Sequence, residues 1–440
     1  MIKRNLLLLS MMLAGGLSLE AQQTMTLEQC IDYALAHNLT VRQQDVALRR
    51  SGQELESSRN QRLPQVGAQA GYTYSMGRSI TENNTYANSN TQNVSMSLSA
   101  NVPLFTGLRI TNQIAQSRLN LAAATADLAK AREDVALQVT QYYLQVLCQQ
   151  ELAAVSRRQV ALSERQLARL QGQLKAGKSA APEVAEMAAQ LAQDRYAAVQ
   201  AEGNVSLALL DLSQMLELGS PDSLRVADPS LGEPPVLEGS ARRIYEQAVM
   251  ARPQVEAERL RLKGCEYAVK VARAGYYPSV SLGAGLGTGY YKSSGIRSDA
   301  FGRQLNNNFS RNISLTLSIP VFDAFQTRNA IRTARLNQEN QALQLAQVEK
   351  TLYKEIQQAW QSAVNAQSSY ASSKVSEEAA REAFLLMSKK FENGKATPTE
   401  FADSKNKLEK AESDRIQALY ECMFRVRILD FYRSLHVLKP

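Results

Sequence analysis

The residues best placed to do chemistry lie in one short run, Lys389-Lys390-Phe391-Glu392-Asn393-Gly394-Lys395-Ala396-Thr397-Pro398-Thr399-Glu400-Phe401-Ala402-Asp403. Glu400 and Asp403 are three apart, so both carboxylates share one face of a helix. Repeated around an axis by several subunits, such acids form a ring that binds or selects cations. The same residues have a local use. Thr397 and Glu400 spell a capping box with Pro398 at the first helical position, Gly394 suits the end of the preceding helix, and Asp403 complements a helix dipole. An upstream run, Leu174-Lys175-Ala176-Gly177-Lys178-Ser179-Ala180-Ala181-Pro182-Glu183, repeats the turn with Glu183 opposite Glu400. Glu183 and Glu186 are the weaker candidates for the same ring.

Elsewhere the chain offers little reactive chemistry. His37 and His436 are the only histidines and sit near opposite ends, and His37-Asn38 reads as a helix end. No phosphate loop or metal-ligand spacing appears, so no catalytic residue, cofactor or metal is expected. Cys30, Cys148, Cys265 and Cys422 form no CxxC pair; they read as helix-packing residues, although an exported protein could pair some of them.

The elements that position the turns come in two kinds. Four stretches alternate apolar and small polar residues, at about 65–76, 93–104, 279–290 and 312–322. In the first, Val66, Ala68, Ala70, Tyr72, Tyr74 and Met76 oppose Gln65, Gly67, Gln69, Gly71, Thr73 and Ser75. Alternation gives each strand one oily and one wet face, and a tilted strand of roughly 9 to 11 residues spans a bilayer. None of the four stretches carries a charge, and no further strands are expected to build a second sheet. A soluble sandwich strand also alternates, but these features favour a transmembrane barrel. Four strands cannot close one, since single-chain membrane barrels begin at about 8 strands and an open edge in lipid leaves backbone groups unpaired. The barrel must be shared between subunits.

The second kind is very long helix. From about 106 to 175 no proline interrupts a helical pattern, and about 324–392 repeats it, each followed by a return helix at about 182–217 and 398–432. Ile114, Leu121, Leu128, Val135 and Tyr142 lie seven apart, with Val139, Val146, Ala153, Val160, Leu167 and Leu174 in a second register. A sustained 3.5-residue period means knobs-into-holes packing. A free-standing coiled-coil rod explains the helices equally well, but not the strands.

Internal repetition ties the two kinds together. Leu63-Pro64 matches Tyr277-Pro278 at an offset of 214, and after the strands Val102-Pro103-Leu104-Phe105 matches Ile319-Pro320-Val321-Phe322 at 217. Residues 22–217 form a first repeat and 241–440 a second, joined by a Pro- and Gly-rich linker at 218–240. Lys3 and Arg4 followed by an apolar run from Leu6 to Leu19 read as a signal peptide over 1–21, cleaved after Ala21. The net charge of +8 comes from bases and acids interleaved along helices, which points away from a nucleic-acid partner.

Taken together, the repeat, the strand pairs ending in Val-Pro-Leu-Phe and Ile-Pro-Val-Phe, and the turn Lys390-Phe391-Glu392-Asn393-Gly394 resemble the TolC-type outer membrane factor family over essentially the whole mature chain. The resemblance implies an α+β membrane protein. A homotrimer would form a 12-stranded transmembrane β-barrel, four strands per subunit, continued by a long periplasmic α-helical coiled-coil barrel. It implies an exit duct in the outer membrane lipid for a tripartite efflux pump, exporting small molecules and working with a periplasmic adaptor and an inner-membrane transporter of the RND or ABC type. The outer membrane component of a type I protein secretion system is the close alternative, and a structural coiled-coil envelope protein the distant one. Acidic rings at the periplasmic entrance fall on Glu400 and Asp403, and adaptor docking falls on Gly177, Lys178, Lys390, Phe391, Gly394 and Lys395. The chain departs from the family at Gln173-Leu174, at Glu400 where an aspartate is usual, and at Ala396 where an arginine is frequent.

Overall fold

A computed structural model describes residues 23–80, 84–221, 224–227, 232–235, 237, 239–294 and 297–433. The expected signal peptide and its cleavage point lie outside the described residues, as does His436. The order of elements is β1 (Gln23–Met25), α1 (Leu27–His37), α2 (Leu39–Asn60), β2 (Gln65–Ser75), β3 (Arg78–Ile80), β4 (Tyr86–Asn88), β5 (Thr91–Thr106), α3 (Arg109–Lys175) and α4 (Ala181–Met215). There follow β6 (Leu224–Val226), α5 (Ala241–Ala251), α6 (Pro253–Arg273), a 3-10 turn (Ala274–Tyr276), β7 (Ser279–Ser293), α7 (Phe301–Asn307), β8 (Ser310–Ser318), α8 (Gln326–Glu392) and α9 (Pro398–Arg433).

The chain divides into two compact units. One gathers the described residues of 1–45, 127–255 and 348–440, the other those of 46–126 and 256–347.

The first unit is helical. Val135, Val139, Val146 and Ala153 of α3 are buried, as are Leu352, Ile356 and Ala363 of α8 and Leu408, Leu419 and Leu429 of α9. These positions lie four or seven residues apart in α3 and α8 and 11 and 10 apart in α9, all close to whole numbers of helical turns, which sets one stripe of each helix inward. A two-stranded parallel sheet of β1 and β6 lies in this unit, and Tyr143 donates from its hydroxyl to Ala227 O at 2.7 Å. Such short strands escaped the sequence reading, because three residues are too few to show a period; so did β3 and β4, which pair antiparallel in the second unit. The expectation of no further strands is therefore corrected. All four cysteines are free thiols, and burial pushes Cys30 up to about 12 and Cys148 to about 11, so neither supplies a thiolate at neutral pH.

The second unit holds a four-stranded antiparallel sheet in the order β2-β5-β7-β8. The register stacks Ala68 on Leu98, Leu98 on Leu286 and Leu282 on Leu315, so the apolar residues form one continuous face. On the other face glycines sit opposite Ser and Asn. A Cβ on Gly283 would come 2.7 Å from Ser314 Oγ, and one on Gly285 would come 2.4 Å from Asn312 Oδ1. Glycine leaves room on this face for the Ser314 and Asn312 side chains. Three strands run past the alternating stretches, β5 by two residues at each end. β7 reaches Ser293 and β8 starts at Ser310, which brings Lys292 and Arg311 into strands expected to be free of charge. Pro320, lacking an N–H, falls outside β8, which stops at Ser318. The hairpin loops also carry structure, β3 and β4 in one and α7 in the other.

Both strand-to-helix corners turn through two consecutive left-handed residues, Gly107 (φ 61) and Leu108 (φ 65), then Ala324 (φ 52) and Phe325 (φ 63). At Gly107 a Cβ would lie 2.7 Å from Tyr277 Cβ, so glycine is required there by space as well as by φ.

Candidate functional site

In the helical unit the turns after α3 and α8 are built alike. Gly177 and Gly394 both adopt φ +68, and Lys178 N–H donates to Gln173 O at 2.8 Å as Lys395 N–H does to Lys390 O at 2.8 Å. This six-residue closure ends each helix on a left-handed glycine. Beyond the second turn, Glu400 Oε2 accepts from Thr397 N–H at 2.8 Å and from the Thr397 hydroxyl at 2.9 Å, while Glu400 N–H donates to Thr397 Oγ1 at 3.2 Å. The Thr397 N–H, then its hydroxyl, hold the exposed Glu400 carboxyl below the usual glutamate range. In the first turn Ala180 has no hydroxyl. Glu183 instead accepts from Ser179 Oγ at 2.5 Å and Ala180 N–H at 3.2 Å, which lower its pKa, the Ser179 bond most.

The turns pack on each other. The Thr399 hydroxyl donates to Glu186 Oε1 at 2.6 Å, and Arg169 Nη2 donates to Glu392 O at 2.7 Å. Leu170, Met187 and Phe401 form a buried cluster joined by Val184, Phe384 and Phe391, with Phe391 stacked on Phe401 at 4.7 Å between centroids. Asp403 is exposed and meets Lys407 Nζ at 2.7 Å. Of the residues read from sequence, Glu183 and Glu400 lie in the first turns of α4 and α9, and Glu186 and Asp403 in the second. Lys178, Lys390, Gly177, Gly394 and Lys395 are exposed. Phe391 is partly buried and packs inward, so what it offers a partner is limited to its edge.

Sequence reasoning missed what lies one turn further along α9. Lys405 and Asp194 are buried and ion-paired; the Lys405 ammonium also donates to Ser163 Oγ at 2.9 Å, and Ser163 donates to Asp194 Oδ2 at 2.5 Å. Gln190 Nε2 completes the shell on Asp194 Oδ1 at 2.9 Å. The pair links α3, α4 and α9. Burial pushes the neighbouring Glu409 carboxyl up, against the pull of Lys405. A signal for this network did exist: Lys405 stands between Phe401 and Leu408, and Asp194 follows Met187 and Leu191, each on a stripe of buried apolar residues. Among the described residues no group of three His, Cys, Asp or Glu side chains could hold a metal ion.

In the other unit the oily face of the sheet is exposed. Val66, Tyr72, Ile313 and Leu315 are exposed, Ile313 to 81%. Strands β2 and β8 each have a partner on one side only. Tyr72 and Tyr74 mark one end of this face, and Phe105, Tyr276, Tyr277, Phe322 and Phe325 the other. From Val280 to Tyr290, residues rising about 3.3 Å each and tilted about 40° as in membrane barrels cover about 25 Å. Among the described residues no helix is long and apolar enough to cross a membrane.

Comparison with known proteins agrees with these features. The profile described as "Outer membrane efflux protein" matches residues 30–217 and 244–423. Protein CyaE of Bordetella pertussis is 29% identical over 173 residues, 39% of this chain; the match spans only about a third of that relative's length, 35%. Among solved structures, the outer-membrane channel OprN superposes with a TM-score of 0.74 at 21% identity, covering 93% of this chain and 89% of that one. The CmeC outer membrane channel of Campylobacter jejuni gives 0.75 at 17% identity, covering 95% and 90%. At these identities the superpositions establish a shared fold.

Proposed function

The chain belongs to the outer membrane efflux protein family, and from that premise we propose that it is a passive exit duct. Three copies line one pore through the outer membrane and continue it as a helical tunnel into the periplasm. The observation that carries this reading is the sheet: four antiparallel strands with an exposed apolar face and two unpartnered edges. An even number of antiparallel strands leaves β2 and β8 running in opposite directions, so β8 of one copy can pair antiparallel with β2 of the next. Three copies give 12 strands, and closure satisfies every edge, which lipid demands. Lys292 stands at the hairpin end of β7, where charge is tolerated at the membrane surface, whereas Arg311 pairs with Leu286 within the span from Val280 to Tyr290.

The remaining features fit the same duct. Each half of the chain contributes two long strands, a 67-residue helix and a return helix, which supports two tandem repeats of one unit. Glu400, Asp403, Glu183 and Glu186 supply negative charge for a cation-attracting entrance. The exposed Gly177-Lys178 and Gly394-Lys395 turns offer a docking surface to a periplasmic adaptor, which would couple the duct to an energised inner-membrane transporter. No step of the mechanism requires catalysis, because transport energy enters at the other membrane. Opening would shift the helices between two packings of the coiled coil.

Reconstitution in planar bilayers tests the proposal. Detergent-solubilised protein should run as a trimer and give discrete, cation-sensitive conductance; a monomer that stays in solution without detergent and passes no current overturns it. Export of small molecules rather than proteins is tested by drug accumulation in cells lacking the gene.

A further inference from the structure

We propose that the corner where α6 passes through the 3-10 turn into β7, facing the start of α8, binds the phosphate of an acidic glycerophospholipid headgroup. This rests on the reading that the sheet lies in the outer membrane. A cavity of about 520 Å³ opens there, walled by Arg273, Arg328, Arg332 and Arg335 with Tyr276 and Tyr277. The buried side chain of Ile331 floors it. Among the described residues no carboxylate pairs with any of these four arginines. Of the acids nearest in sequence, Glu339 stands four residues beyond Arg335 without an ion pair to it, and Asp323 is turned to its own helix, where it accepts from Thr327 N–H at 2.8 Å. Four exposed guanidinium groups without a carboxylate partner wall one cavity and give it a positive potential that attracts an anion. A phosphate suits their planar forks, each of which can bind two of its oxygens.

The positions 214 and 217 residues upstream show what an ordinary corner looks like. There Arg59 is paired with Glu56 at 2.5 Å and Arg62 donates to Thr111 Oγ1 at 3.3 Å. In the second corner the counterpart of Glu56 is Lys270, that of Thr111 is Arg328 and that of Ala115 is Arg332, while Arg62 and Leu63 become Tyr276 and Tyr277. Lys270, Arg328 and Arg332 are gained while Arg62 and Arg109 give way to Tyr276 and Gln326, and the acid shifts from Glu56 to Asp323, so the second corner places its bases on the start of α8.

The surroundings select a lipid over a soluble anion. The exposed apolar face of the sheet starts at Val280, two residues beyond Pro278, so acyl chains on that face would lead up from the cavity. Tyr276, Tyr277, Phe322 and Phe325 are all more than half exposed, as aromatic residues are at headgroup depth. Phe325 also holds a left-handed φ of 63 while its ring lies 5.8 Å from Arg328 Cζ. Leu108 holds the same conformation at the upstream corner, so the φ belongs to the turn, and the ring of Phe325 beside Arg328 is what distinguishes this corner.

The test uses the full-length protein in detergent and in nanodiscs, with phosphatidylglycerol, phosphatidylcholine and inorganic phosphate as probes. Native mass spectrometry and lipid-dependent thermal shifts should show phosphatidylglycerol held about 10-fold or more tightly than phosphatidylcholine. Arg332→Gln with Arg335→Gln should abolish that preference, and Arg328→Gln should weaken it. Arg118→Gln, at the upstream corner, should leave it intact. All variants sit on exposed helix positions, and trimer retention on a sizing column checks their folding. Equal affinity for the two lipids, or a preference untouched by the double variant, overturns the proposal. So does displacement of the lipid by millimolar inorganic phosphate, which marks a free-anion site, or an altered anion selectivity of the pore with lipid binding unchanged. Wild-type protein that conducts but shows no acidic-lipid preference sinks this inference alone; protein that neither inserts nor conducts sinks the duct beneath it.

Discussion

Gly177 and Gly394 end helices of 67 residues each with the same φ and the same backbone closure, yet the side chains gripping the two turns differ. At the second turn Phe391 stacks on Phe401 and a threonine hydroxyl caps α9. At the first, the equivalent positions are Leu174, which is exposed, Val184, which is half-buried, and Ala180, which cannot cap. Backbone geometry is therefore common to both turns while packing is concentrated in one. The difference teaches that α9 is anchored in its first turn by burial of Phe401, whereas α4 relies there on polar contacts of Glu183 and buries Met187 one turn later.

The strongest way to break this contrast is to remove the ring that makes it. Phe401→Ala should lower stability by about 4 kcal/mol, as deletion of a fully buried aromatic does. Val184→Ala, at the matching position, should cost about 1 kcal/mol. Thermal unfolding of the solubilised protein reads both, and equal losses would show that the second turn is not the better packed.

Next in size is the Lys405–Asp194 pair, which joins α9 to α4 and would make the two turns respond together. Lys405→Ala leaves a buried carboxylate without its cation and should cost about 3 kcal/mol. Replacing both, Lys405→Met with Asp194→Leu, should recover most of that loss, because desolvation of the pair roughly cancels its attraction. If the double variant is as unstable as the single one, Ser163 and Gln190 depend on the pair more than geometry suggests. Smaller still is the cap. Thr397→Ala should cost about 1 kcal/mol. Ser179→Ala should cost less, since Glu183 retains the Ala180 N–H.

How much of this the sequence disclosed depends on the range of the interaction. The Thr397–Glu400 box and the glycine turns lie within a few residues, so residue type and spacing suffice to read them. Alternation marks the sheet because each strand repeats its two-residue period many times. The Lys405–Asp194–Ser163 network joins residues 211, 242 and 31 apart on three helices, a distance no local pattern spans. Only the charged residues on otherwise apolar stripes betray it. The strands β1 and β6 are too short to have a period, and Lys292 and Arg311 lie just past the alternating stretches, so both were invisible to the same logic.

The smallest effect sharpens the contrast through charge. Glu400 and Glu183 both have folded pKa values below the ordinary 4.5. Whatever the ionised carboxylates contribute to their turns is therefore fully present above that value and is lost as pH falls through the depressed folded values. If these acids also line the pore entrance, block by multivalent cations in planar bilayers should persist in mild acid and fade only below the usual glutamate range. Glu400→Gln keeps an oxygen that can accept from Thr397 and removes the charge, so it separates capping from cation binding. It should leave the melting temperature nearly unchanged and weaken block by about threefold, the scale of an exposed charge interaction. Asp403→Asn should do the same while also freeing Lys407. Unchanged block in both variants would confine the two acids to their helix, and the functional contrast between the turns would then rest on Phe401 alone.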